Sequence, residues 1–343
     1  MPDQIIIQPQ PGMQEKALSC GADILIVGGA AGPGKTFGLL LEALRHIANP
    51  GFMAVIFRRI SPNITNEGAL WDESTKLYSL LDATPNRNDL KWTFPSGARV
   101  RFAHLQYDTD RLDWKGSQVP MIGFDQLEEF LESQFWYMVS RNRSLCGVEP
   151  YVRATVNPIP ADDPIGGWVH TFISWWLNEE TGLARPERDG VVRWLIRPYE
   201  EIQWYDTWRE AYEGARAAGF SHEDAERLPK SMTFIEGRLE DNKILMEKNP
   251  GYYASLMILP KVERDRLYGR NWNSKPTAGK VFNRAWFEIV QAAPAQGIKW
   301  ARYWDKAGTE RGGKRTAGVL MGRHASGIFY VRDVKLGQWS FLQ

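Results

Sequence analysis

The chain is poor in the residues that staple small folds or hold metals. Two cysteines occur in 343 residues, Cys20 and Cys146, with no metal-ligand spacing. That excludes a disulfide framework and a zinc knuckle, and it predicts reduced structural thiols in a cytosol. The five histidines, His46, His104, His170, His222 and His324, stand apart, so each reads as structural rather than as a metal ligand. No apolar run approaches the ~20 residues that span a bilayer. The N-terminal MPDQIIIQPQPGMQ lacks the basic start and apolar centre of a secretory signal. No membrane partner is therefore expected. Neither sign of charge dominates, with 42 basic and 41 acidic residues. This neither requires nor excludes nucleic acid, because basic groups can gather on one face of a neutral protein. Internal repeats and low-complexity tracts are also missing.

Apolar residues are plentiful, at 43%, and the length exceeds what one core usually serves, so two domains are expected. Most of the 15 tryptophans read as core or interface filler. In the first 160 residues, short apolar runs alternate with helical spacing. Residues 24–27 (ILIV) predict a buried parallel strand, residues 37–48 a helix, and residues 52–57 a second strand. LKWTF and ARVRFAHL around Pro95-Ser96-Gly97 predict a hairpin forming a half-buried edge pair. Residues 119–124 and 151–157 predict a third and a fourth strand. The pattern implies an α/β fold, a mostly parallel sheet covered by helices on both faces.

Between the first strand and the first helix lies GGAAGPGKT. Gly29, Ala30, Ala31, Gly32, Pro33, Gly34, Lys35 and Thr36 satisfy G-x-x-x-x-G-K-[ST], the Walker A or P-loop pattern. Glycines let several main-chain N–H groups turn toward phosphate oxygens, and the following helix adds its positive end. In this reading Lys35 reaches the β- and γ-phosphates of ATP and the Thr36 hydroxyl ligates Mg²⁺. A P-loop also needs a carboxylate at the end of a neighbouring strand. MIGFD supplies Asp125, a Walker B candidate. The next residue is Gln126, and glutamine can orient water but is a negligible base. Either Glu128 or Glu129 is then the base, or hydrolysis is slow.

In this order and spacing, GGAAGPGKT, VIFRRISPNI, KGSQVPMIGFDQLEEF, ESQFWYMVSRNRS and VRATVNP resemble the large terminase subunit of tailed bacteriophages. That protein is the ATP-driven motor that pumps genome DNA into empty capsids and cuts it. The stretch from FIEGRLEDNKILMEKNPGYYASL to LYGRNW is similar to the family's segment between motor and nuclease, so the likeness covers most of residues 10–340. The resemblance implies a P-loop NTPase fold of the ASCE type over residues 1–275, with a helical linker subdomain at about 160–275. It also implies a linker and the truncated start of a ribonuclease H-like nuclease domain over 276–343. It makes Thr155 and Asn157 the coupling motif that senses the γ-phosphate, and Gln14 a reader of adenine. It places Asp305 at the family's first-strand nuclease metal position, for Mg²⁺ or Mn²⁺. It further implies a homo-oligomeric ring on the procapsid portal protein, with double-stranded DNA and a small terminase subunit as partners, in the host cytoplasm.

Two departures from the family pattern stand out. Many relatives carry an arginine within the P-loop, where this chain has Ala30 and Ala31. The stabilising cation must come from elsewhere, with Arg58, Arg59, Arg101, Arg111, Arg141 and Arg143 as candidates. The second departure is Gln126. The chain stops before the later acidic residues of the nuclease, so cleavage of DNA is not expected of it. Residues 160–275 hold no strong chemical motif; residues 204–230 predict a helix pair, and the basic-rich tract 243–270 more helices. Two other functions fit the residues. One is a helicase or repair-type translocase unrelated to packaging. The other is a nucleotide-binding switch with little hydrolysis, motivated by Gln126.

Overall fold

The computed structural model describes residues 6–275, 287–306 and 316–337. The chain divides into two units, Met1–Pro276 and Thr277–Gln343. In the first unit ten strands form one sheet: β1 (Ile24–Gly29), β2 (Met53–Arg58), β3 (Thr84–Asn86), β4 (Lys91–Thr93), β5 (Arg99–His104), β6 (Met121–Phe124), β7 (Tyr151–Thr155), β8 (Arg193–Ile196), β9 (Gln203–Tyr205) and β10 (Lys230–Gly237). Their order is β3-β4-β5-β2-β6-β7-β1-β10-β8-β9. From β5 to β10 every neighbouring pair is parallel, while the flanking pairs are antiparallel. The α/β P-loop architecture expected from the sequence is present.

The alternation of side chains explains the two cores. Along β2, Val55 and Phe57 enter one buried cluster and Ala54 and Ile56 the other. A strand with side chains buried on both faces reads as a continuous apolar run, which is how β1, β2 and β6 look in the sequence. The first cluster also takes Phe135 and Phe172 from helices Glu132–Val139 and Gly167–Phe172, and the second takes Leu39 and Leu40 from helix Lys35–Glu42. The parallel strands thus end together, and the loops at their C-terminal ends form the site.

Several boundaries differ from the sequence expectation. A short helix, Met13–Leu18, precedes β1, and the helix after β1, Lys35–Glu42, ends at Glu42 rather than at residue 48. Beyond it the main chain tightens to i→i−3 bonds, Leu44 to Leu41 and Arg45 to Glu42, while Leu44 and Ile47 still pack inward. Apolar spacing survives such turns, so it overstates the helix. The predicted hairpin forms as β4–β5, but it is not an edge pair, because β5 also pairs with β2 and β3 lies outside β4. The Asp125 strand does not adjoin β1, since β7 runs between them.

The largest difference concerns residues 160–275. They include the expected helices, Trp208–Ala217, His222–Arg227 and the run from Lys243 to Leu267, but also three strands. Of these, β10 pairs through Met232–Gly237 with the whole length of β1. The buried polar residues Ser231 and Thr233 interrupt its apolar pattern. Their hydroxyls are satisfied by Asp23 and by the Val191 carbonyl, so burial is permitted where the sequence argues against it.

The second unit contains an antiparallel sheet of β11 (Ile298–Asp305), β12 (Thr316–His324) and β13 (Phe329–Gly337). No helix among the described residues is long and apolar enough to cross a membrane.

Candidate nucleotide site

The P-loop is shaped by glycines that no other residue replaces. Gly29 has φ 118°, and a Cβ there would meet the Gly237 carbonyl oxygen at 2.3 Å. Gly34 caps helix Lys35–Glu42 in the left-handed region at φ 86°. A Cβ on it would lie 2.5 Å from Gln14 Nε2. β10 is therefore the wall on which the loop leans, and Ala30 N–H donates to the Gly237 carbonyl at 3.0 Å.

Lys35 is buried at the loop's centre. Its Nζ donates to the Gly29 carbonyl at 3.1 Å, to the Ala30 carbonyl, and to Asn157 Oδ1 at 3.0 Å. Burial pulls its pKa down, opposed by the negative charges of Glu128 and Asp125. Thr36 Oγ1 donates to Asp125 Oδ1 at 2.9 Å, and Thr155 Oγ1 donates to the same oxygen at 2.6 Å. The Gln126 N–H in turn donates to Thr155 Oγ1 at 2.9 Å. Arg58 donates to the other Asp125 oxygen at 3.0 Å. β7 thus places a hydroxyl between the Asp125 strand and β1, so the intervening strand links them.

Asn157 Nδ2 donates to Glu128 Oε1 at 2.7 Å. Lys35, Asn157 and Glu128 thereby form one hydrogen-bonded chain. Burial raises the Glu128 pKa above the ordinary carboxylate range, opposed by its hydrogen bonds and by Lys35, and its Oε2 is buried without a partner. Burial also raises Glu129, opposed first by Arg58, but Glu129 makes no bond to Asn157 or Lys35. Gln126 sits at φ 63°, a left-handed conformation unusual for a side-chain-bearing residue, at the start of the turn Leu127–Glu129. Gln126, Glu128, Glu129 and Asn157 line a cavity of about 630 Å³, together with Arg59 and Arg266 among others.

Thr36 and Asp125 present hard oxygen donors 2.9 Å apart, which fits a magnesium ion that keeps waters and phosphate oxygens as its other ligands. Such an ion needs few protein ligands. The described residues contain no cluster of three or more acidic, histidine or cysteine ligands. Asp305 lies at the end of β11 in the second unit, opposite Ala317. Asp333 on β13 pairs with Arg302.

Gln14 is buried below the loop. Its Nε2 donates to the Gly34 carbonyl at 3.0 Å, and its Oε1 accepts from the Gln10 N–H at 2.9 Å. Both ends of the amide thus hold main chain. Two residues that sequence reasoning passed over share this duty. Asn242 Nδ2 donates to the Gly32 carbonyl at 2.7 Å while its Oδ1 caps the helix Lys243–Lys248, and Gln10 Nε2 donates to that same Oδ1. Asn before a helical run is a cap signal, but its second bond to a loop 210 residues away has no local trace.

Most of the candidate arginines are committed elsewhere. Arg59 donates to the Leu105 carbonyl and to Gln134. Arg101 stacks on Trp114, Arg111 and Arg141 on Tyr137, and Arg143 holds the Gly116 and Ser117 carbonyls. Among them Arg58 bonds Asp125, and Arg59 lines the cavity but is held at Nη1 by the Leu105 carbonyl and Gln134.

Comparison with known proteins fits this geometry. The family described as "Terminase large subunit, T4likevirus-type, N-terminal" matches residues 26–289. None of the curated proteins compared with the chain matches it. Solved structures similar to it include a large terminase from a thermophilic bacteriophage, with 14% identity, 96% of this chain and 69% of that one covered, and a TM-score of 0.49. The large terminase ATPase domain of Thermus phage P74-26 shows 12% identity over 76% of this chain and 92% of its own, with a TM-score of 0.43. The large terminase of bacteriophage HK97 shows 14% identity over 96% and 64%, with a TM-score of 0.38. The family match spans well over half of the sequence, and the chain therefore belongs to the large terminase subunits.

Proposed function

We propose that the chain hydrolyses ATP and uses it to drive double-stranded viral DNA into procapsids. The observation that carries this reading is the joining of Lys35, Asn157 and Glu128 in one chain beside the Thr36–Asp125–Thr155 cluster. The P-loop amides and the start of helix Lys35–Glu42 bind the phosphates. Lys35 exchanges its carbonyl partners for β- and γ-phosphate oxygens. Asn157, already bonded to Glu128, holds the attacking water in line. Glu128 takes its proton as the water oxygen bonds to the γ-phosphorus and the bridge to ADP breaks. Magnesium, held through Thr36 and Asp125, would neutralise phosphate charge.

A partly buried carboxylate bonded into the P-loop network through Asn157 favours turnover over a passive switch, and answers the absence of glutamate at position 126. In the same reading, Thr155 and Asn157 couple nucleotide state to DNA movement. The protein works as a ring on the portal with a small terminase subunit, in the host cytoplasm. The second unit is part of a ribonuclease H-like nuclease to which Asp305 contributes one metal ligand. Steady-state ATPase, measured with and without portal-bearing procapsids and DNA, tests the reading. Turnover is expected to rise with procapsids; strand separation in place of packaging would identify a helicase instead.

A further inference from the structure

The charge that builds on the γ-phosphate oxygens during transfer needs a cation beyond Lys35, and the P-loop offers alanines at positions 30 and 31. We propose that Arg266, on the helix Lys261–Leu267, supplies that cation in cis. This assignment rests on the ATPase reading above and names a catalytic residue for it.

Two short bonds hold Arg266 at the place where the charge is missing. The Leu267 carbonyl accepts from the Ala31 N–H at 2.6 Å, so the end of this helix is docked on Ala31 of the P-loop. Arg266 Nε donates to the Pro158 carbonyl at 2.6 Å, immediately after Asn157. The side chain is thus gripped at Nε, beside the residue that bonds both Lys35 and Glu128. It lines the same cavity as Glu128, Asn157 and Gln126. Among the described residues no carboxylate pairs with it and neither terminal guanidinium nitrogen has a partner, although Glu263 lines the cavity too. The competing arginines are engaged with carbonyls, aromatic rings or acids. Arg238 and Arg270 are held by Glu236, and Arg58 faces the Asp125 carboxylate on the magnesium side. A planar guanidinium with its two terminal nitrogens open suits bidentate contact with phosphoryl oxygens.

The test compares Arg266→Ala and Arg266→Lys with the wild type in three measurements: ATPase kcat and KM, affinity for Mg·ADP, and affinity for Mg·ADP with aluminium fluoride. The assignment predicts that Arg266→Ala lowers kcat by about 10²–10³-fold. It predicts a comparable loss of aluminium-fluoride-dependent affinity, with KM and ADP affinity within about threefold, because the interaction forms only with the transition state. Lysine should restore part of kcat. If kcat and the aluminium fluoride complex stay within about threefold of wild type, the proposal is overturned while the ATPase reading stands. Parallel loss of ADP affinity would make Arg266 structural and overturn it as well. A wild type that binds no nucleotide would remove both.

Discussion

Replacing Glu128 by glutamine is expected to lower kcat for ATP by about 10²–10⁴-fold, the usual range for losing a general base, with KM little changed. Glutamine keeps the shape and can still accept the bond from Asn157, so the P-loop network should survive. What is lost is the ability to take a proton. Glu129→Gln should have a much smaller effect, since that side chain lies outside the Lys35–Asn157 chain. The pH profile separates the two further. Burial holds the Glu128 pKa above the ordinary range, and the base acts only when deprotonated. Activity should therefore fall as pH drops, starting well above the ~4.3 of a free glutamate. On the alkaline side, burial lowers the Lys35 pKa, so its charge is lost below the ordinary lysine range. The two groups titrate as a pair, giving a bell in kcat/KM whose limbs belong to the free enzyme. Loss of the acid limb in Glu128→Gln, but not in Glu129→Gln, is the diagnostic result.

The second large effect is on stability. Gly29→Ala should destabilise the first unit by about 3 kcal/mol or more, combining positive-φ strain with overpacking. The added methyl would sit 2.3 Å from a backbone oxygen of β10, at φ 118°, and neither strand can move without breaking the β1–β10 ladder. A thermal melt lowered by roughly 6–12 °C is expected, at 2–4 °C per kcal/mol for a domain of this size. Gly21→Ala is the control: a Cβ there meets nothing within 4 Å, so its melt should shift little.

The parts of this site that could be read from the sequence are the local ones. The loop from Gly29 to Thr36 carries its own turn chemistry, and Asp125, Thr155 and Asn157 stand at the ends of apolar strands, as strand-tip residues do. What could not be read depends on contacts between distant segments. β10 hides because Ser231 and Thr233 are buried with private partners. The choice between Glu128 and Glu129 turns on which of two adjacent carboxylates meets Asn157, a matter of turn geometry set by the left-handed Gln126. Asn242, Gln10 and Arg266 reach the P-loop only through tertiary folding of the segment 239–270, which in sequence reads as a solvated basic helical tract. The candidate arginines could not be ranked for a related reason, since stacking on Trp114 or Tyr137 has no sequence signature.

All of these effects presuppose that the loop and Asp125 together accept a magnesium nucleotide. Calorimetric titration with Mg·ATPγS addresses this most directly. Saturable one-to-one binding by the wild type is expected, with Lys35→Ala weaker by at least about tenfold, or 1.4 kcal/mol. Absence of binding by the folded wild type, or equal affinity in Lys35→Ala, would contradict the account.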